Sequence, residues 1–231
     1  MVTKAMLLIL VFILVIGASV AGTLAWLTGN TETVKNTFTS AKFFDDTSKQ
    51  FTLVEHVATD DNKDGRFELT SDTTMQGNEY LLLPGVNIPK DPTVIVDGLQ
   101  SDAYLYIQVT GKLPDGLKYS IDANEWEPLA NDEWEYVDVW VYKGSAASAN
   151  HVIKASREAM VKFKSNVLTQ TYDGKYGNYA IEVPTSYVSA SDDKVALYCK
   201  AYLAQATGNG EDAVEAWVNT FNEGTKSPVT P

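Results

Sequence analysis

An all-β fold, two antiparallel sheets packed as a sandwich, is what this sequence predicts, on three observations. Beyond residue 30 the apolar side chains recur with a period of two. The runs that carry this period are rich in Val, Ile, Thr and aromatic residues, and turn-forming residues such as Pro84-Gly85 and Asp97-Gly98 separate them at short intervals. At least eight strands joined by short turns bury their apolar faces most simply as two packed sheets. Clear helical patterning lies at the two ends of the chain.

The first end is residues 1–25. A single positive charge, Lys4, precedes the apolar block Met6–Ile16, and the small residues Gly17, Ala18, Ser19, Ala21 and Gly22 follow. This is the pattern of a signal helix for export. Ser19-Val20-Ala21 and Thr23-Leu24-Ala25 both present small side chains where a signal peptidase reads them, so cleavage after Ala21 and after Ala25 are both open. The rival reading is a retained anchor, since Ala5–Leu27 is long enough to cross about 30 Å of hydrocarbon. The short apolar core and the small-residue cluster favour cleavage. Signal peptidase is then the partner during export, and contact with the membrane runs only through the uncleaved signal.

The remainder has no linker or repeat and reads as one domain. Phe51–Val57 and Arg66–Thr70 flank the acidic Asp60-Asp-Asn-Lys-Asp-Gly65 as a hairpin. Glu79–Leu83 reads as a strand running into the Pro84-Gly85 turn, where proline presets φ and glycine accepts a positive one. Thr93–Val96, Ala103–Val109 and Leu117–Ile121 follow. In Trp134–Tyr142, alternation puts Trp134, Tyr136, Trp140 and Tyr142 on one face and Val137, Val139 and Val141 on the other. A strand apolar on both sides belongs inside the fold. Ala159–Lys164, Tyr179–Val183 and Val195–Leu203 continue the pattern, and Ser148–Ala159 is ambiguous between helix and loop. Near the end, Val214, Trp217, Val218 and Phe221 repeat at i, i+3, i+4 and i+7 between Gly210 and Gly224, which predicts one short amphipathic helix. Residues 226–231 read as a disordered tail.

Charge and chemistry narrow the function. The net charge is −12, and removal of residues 1–25 takes away Lys4 and no acid, leaving −13. Such a chain is repelled by nucleic acid and by anionic membrane surfaces. The single cysteine, Cys199, precludes an internal disulfide and shares a strand face with Val195, Leu197, Ala201 and Leu203, as a buried apolar residue would. The two histidines, His56 and His151, are far apart in sequence and lie outside any helical zinc motif; no nucleophile elbow, Walker loop or dinucleotide fingerprint is present. A non-catalytic protein without a cofactor is the expectation. Two binding readings remain beside it. Asp60, Asn62, Asp64 and Gly65 match the first half of a calcium loop, but the twelfth position is Ser71 and the flanks read as strands. Trp126, in the turn-rich 122–132 stretch, could stack on a sugar if exposed, or close a hairpin and pack inward.

Gly22-Thr-Leu-Ala-Trp-Leu-Thr28, followed by Asn36-Thr-Phe-Thr39, resembles the signal and mature N-terminus of TasA/camelysin-type proteins, exported by the SipW-type signal peptidase of Gram-positive bacteria. Leu83–Pro92, with its Pro-Gly and Lys-Asp pairs, the aromatic strand Ala103–Val109, and Ala201–Gln205 leading into the terminal helix are similar to the family in order and spacing. Residues 122–170 are more divergent. The resemblance implies a jelly-roll sandwich over residues 45–225, cleavage nearer Ala25 than Ala21, and a secreted location in the extracellular matrix or at the cell surface. It further implies a subunit of biofilm fibres, a homopolymer in which the N-terminal strand, residues 26–44 with Trp26, Leu27, Val34 and Phe38, is donated to a neighbour's sheet; the other reading is that Thr33–Phe44 is the first strand of its own sheet. The alternatives are a monomeric surface module for calcium or glycan and, more distantly, the metallopeptidase activity described for camelysin-like proteins, for which the zinc ligands are missing.

Overall fold

The computed structural model describes residues 28–30, 50–99, 101–143, 151–153, 161–169, 171–172, 178–188, 196–206 and 210–229. Within them the chain is an antiparallel two-sheet sandwich with one helix laid on its outside. The larger sheet is built around β5 (Ala103–Gly111) and β14 (Leu197–Gln205), which pair over nine residues from Leu197↔Gly111 to Gln205↔Ala103. On the far side of β14 lies β1 (Thr28–Asn30). The other side of β5 takes β8 (Trp134–Tyr142), through Tyr106↔Val141, Ile107↔Trp140 and Gln108↔Val139, and the short β9 (Val152–Ile153). β7 (Trp126–Ala130) and β15 (Lys226–Pro228) complete this sheet on β8. The smaller sheet runs β10 (Val161–Asn166), β4 (Thr93–Leu99), β2 (Gln50–Thr59), β3 (Glu68–Thr74).

The period-two pattern explains both faces of the large sheet. Leu105, Ile107, Val109, Ala201 and Leu203 point inward and meet Phe51, Leu53, Val94 and Val96 of the small sheet, closing a dry core. The alternate residues Tyr104, Tyr106, Tyr202 and Ala204 point outward, and there they are covered by α1 (Ala213–Thr220). The aromatic side chains of the outer face thus meet a helix instead of water. Asp212 caps α1 by accepting from the backbone N–H of Val214 and Glu215, and Glu215 in turn accepts from the N–H of Glu211. The helix buries Ala213, Ala216 and Trp217. Of the expected stripe, Val214 and Phe221 pack at the margin, and the centre of the contact is Trp217, whose ring lies 4.9 Å from those of both Tyr106 and Tyr202.

Four expectations change. Glu79–Leu83 forms no strand; only Ile88 of the following segment makes a bridge, to Ile181. Side chains hold this segment instead. The 122–132 stretch, read as turns, contains β7. In β8 the two faces do not persist. Trp140 and Tyr142 reach the inter-sheet core, but Tyr136 and Trp134 lie on the helix side with Val139 and Val141. Between Pro128↔Trp140 and Ala130↔Glu135 the partner strand advances two residues while β8 advances five, and this bulge reverses the alternation. Val137 is left exposed to solvent there. Finally, Lys226–Pro228, expected to lie in a disordered tail, pairs with Trp134–Tyr136, and Lys226 Nζ sits 4.2 Å above the Trp134 ring. A cation on an indole face adds to the ladder bonds.

Ile88, Leu117, Ile181 and Val183 form a small separate core at one end of the sandwich, where β6 (Lys118–Tyr119) pairs with β13 (Ile181–Glu182). One more short pair, β11 (Thr171–Tyr172) with β12 (Asn178–Tyr179), makes a hairpin nearby in sequence. Among the described residues no helix is long and apolar enough to cross a membrane.

Candidate functional site

The export signal, the cleavage residues Ala21 and Ala25, and the expected contacts Trp26, Leu27, Val34 and Phe38 lie outside the described residues. What is described is the piece of chain between them. Thr28, Gly29 and Asn30 pair antiparallel with Ala204, Leu203 and Tyr202 along the outer edge of β14. β14 is nine residues long, and the described β1 covers three of them. Among the described residues no strand lies beside Leu197–Lys200 on that edge.

Next to this end of β14 is a cleft of about 640 Å³, open to solvent on one side. Its walls are Leu53 of β2, the irregular Thr74–Leu82, Ile88, Leu117 and the start of β14 at Leu197–Cys199. Met75, Leu81 and Tyr198, all exposed, stand around the mouth. The Thr74–Pro92 segment forms one wall because polar side chains fasten it to β2. Asn78 accepts from Ala58 N–H and donates to the His56 carbonyl. The Tyr80 hydroxyl donates to the Pro89 carbonyl at 2.7 Å. Lys90 Nζ donates to Glu55 Oε2 at 2.8 Å, and Asp91 holds the next residue of β2, accepting from His56 N–H at 3.0 Å and meeting its Nδ1 at 2.5 Å. At the turn, Val86 N–H donates to Leu83 O around Pro84-Gly85, with Gly85 at φ +74. The Pro-Gly turn and Lys-Asp pair singled out in the sequence are therefore fasteners of this wall. Burial, and then the charges of Glu55 and Asp91, push the Tyr80 phenol far above its ordinary range and keep it neutral.

The other singled-out residues do different work. Asp60, Asn62 and Asp64 turn their oxygens onto their own backbone. Asp60 accepts from Asp64 and Gly65 N–H, Asn62 from Asp64 N–H, and Asp64 from Arg66 N–H. These are Asx turns that close the β2–β3 hairpin. Gly65 has φ +80, and a Cβ there would stand 2.0 Å from Leu83 Cδ1, so glycine is needed both for the turn and for the side chain packed over it. Among the described residues no three His, Cys, Asp or Glu side chains gather as metal ligands. Trp126 is buried in the inter-sheet core, edge-on to Tyr142, with Nε1 donating to Asn166 O at 2.8 Å, so its ring faces no sugar. Cys199 is buried, as its strand parity predicts, and burial pushes its thiol up to about 12, which leaves it without thiolate at neutral pH. His151 meets Glu127 Oε1 at 2.5 Å on the surface of β7.

Sequence reasoning missed Glu55 and Lys90 as partners, and so missed the cleft they help to shape. The visible trace was a glutamate and a lysine whose neighbours two positions away, Leu53 and Val57 for Glu55 and Ile88 and Pro92 for Lys90, are apolar. No family model matches the chain, and neither a curated protein nor a solved structure does.

Proposed function

We propose that this protein is an exported, non-catalytic structural subunit that joins copies of itself into an extracellular matrix or fibre by strand addition. The observation that carries the reading is the position of Thr28–Asn30, on the outer edge of β14. The stretch that follows the candidate cut at Ala25 leads directly into a ladder on the sandwich's long edge strand. A sheet edge that accepts three residues of its own chain offers the same backbone groups to a neighbour's chain. The resemblance of residues 22–39 to the TasA/camelysin-type N-terminus supports the same conclusion and accords with a product outside the cell.

The test is electron microscopy of the chain beginning at Trp26 beside a chain beginning at Ser40, over a range of concentrations. Filaments that grow with concentration in the first and are absent from the second support strand addition. Equal polymerisation of both overturns it. A monomer in both cases would favour a surface binding module, with the Asp60–Gly65 turn as the calcium candidate.

A further inference from the structure

We propose that the cleft between the start of β14 and the Thr74–Leu82 segment binds a neutral apolar small molecule. Its volume of about 640 Å³ falls in the ordinary range for small-ligand sites, roughly 300–1,000 Å³. Side chains from segments far apart in sequence converge on it, so the concavity belongs to the tertiary fold and not to one loop.

The charge of the ligand follows from the charges of the wall. Three of the lining side chains are charged: Glu55, Lys90 and Glu79. Glu55 and Lys90 are joined at 2.8 Å with side-chain exposures of 7% and 11%, and cancel one another. Glu79 is exposed and, with the net charge of −12, repels anions. A cation would be drawn toward the mouth, but inside it would find Glu55 already matched by Lys90. Either kind of ion would shed its water with little return, whereas a neutral molecule sheds little. Two of the wall's polar side chains are also spent within the protein. The Asn78 amide serves β2, and the Tyr80 hydroxyl serves Pro89. The larger part of the surface that faces the space is apolar, from Leu53, Ile88, Leu117 and Leu197, with Met75, Leu81 and the Tyr198 ring at the entry.

The experiment is a fluorescence titration of the full mature chain with neutral N-phenyl-1-naphthylamine, and separately with the anionic 8-anilinonaphthalene-1-sulfonate and a cationic naphthylammonium probe. Saturable one-site binding of the neutral probe is expected, with both charged probes at least about tenfold weaker, or 1.4 kcal/mol. Leu82→Trp, which fills the cleft, should weaken the neutral probe by a similar factor. Leu81→Asp changes an exposed rim residue, so it folds regardless and should weaken the probe as well. Non-saturable binding, equal or stronger binding of a charged probe, or binding unchanged in both variants overturns the proposal. Displacement of the probe by a peptide of residues 26–44 that binds more tightly also overturns it, by giving the cleft to a strand.

Discussion

Lys90 Nζ donates to Glu55 Oε2 at 2.8 Å between two side chains that are almost wholly withdrawn from water. One residue further along each segment, Asp91 holds His56. Two successive residues of β2 are thus matched by two successive residues of the segment entering β4, so a register is established there by side chains where no ladder exists. A buried pair of this kind gains little over an apolar pair, but removal of one member strands the other.

Lys90→Met alone should therefore cost about 3–5 kcal/mol, while Glu55→Leu with Lys90→Met should cost far less than either single change. Urea denaturation of the two single variants and the double variant measures the difference. A loss in the double variant equal to the sum of the two single losses would mean that the pair is not coupled.

Trp217 is the hub of the outer face: its ring contacts Tyr106, Tyr202 and Phe221, and Nε1 donates to Glu223 O at 3.0 Å. Trp217→Ala should destabilise by about 3–5 kcal/mol. Tyr106→Phe keeps the ring and removes only the hydroxyl bond to Ala213 O, and should cost about 1 kcal/mol. Thermal melts read both, and comparable losses would mean that Trp217 is not the centre of the helix–sheet contact.

The Cys199 thiol is raised from 9.0 to about 12 in the fold. A group whose folded pKa is raised contributes stability below its unfolded pKa and loses it as pH climbs toward the folded one. Stability from this group should thus be full at neutral pH and decline from pH 9.0 toward about 12. The Tyr142 phenol, also raised to about 12, joins the decline from pH 10.0 upward. Cys199→Ala should flatten the first part of the alkaline loss in melts recorded at increasing pH. A maleimide should label the native thiol at about pH 8, below the unfolded thiol's ordinary range, only once denaturant is added.

Asp60→Ala removes the acceptor of two backbone N–H groups and should destabilise the hairpin by about 1–2 kcal/mol. Gly65→Ala should be worse, because it also meets Leu83 at positive φ. If the turn is structural, calcium titrated into the wild-type chain gives no heat and no shift in melting temperature. A calcium-dependent rise that is lost in Asp60→Ala would assign the loop to the ion instead.

The strands that could be read in advance were those whose neighbours decide little. β4, β5 and β14 alternate strongly and occupy the middle of the sheets, so local pattern and tertiary burial agree. β7 escaped because Pro128 and the acids around it carry a turn-like composition. The β8 bulge left no local mark, since Asp138 is stabilised there by Gln108 and by Thr225 N–H, from quite different parts of the chain. Glu79–Leu83 looked like a strand by composition, but Asn78 and Tyr80 fasten it through their side chains instead. The Glu55–Lys90 pair spans 35 positions, a separation at which nothing in either segment names the other.

The large sheet carries the first described residues on β14 and the last on β8. A tension applied between the two ends of the chain must cross β14, β5 and β8 in turn, loading their hydrogen bonds together. The nine-residue β14–β5 ladder is long, and the three-residue β5–β8 contact is short. Of the two seams inside the sheet, between the three-residue pairings of β1 and β15 at its ends, the weaker is therefore the second. Tyr106 of β5 and Tyr136 and Val139 of β8 all pack under the helix there, together with Trp217. The helix thus acts as a splint across the weaker of the sheet's two inner joints.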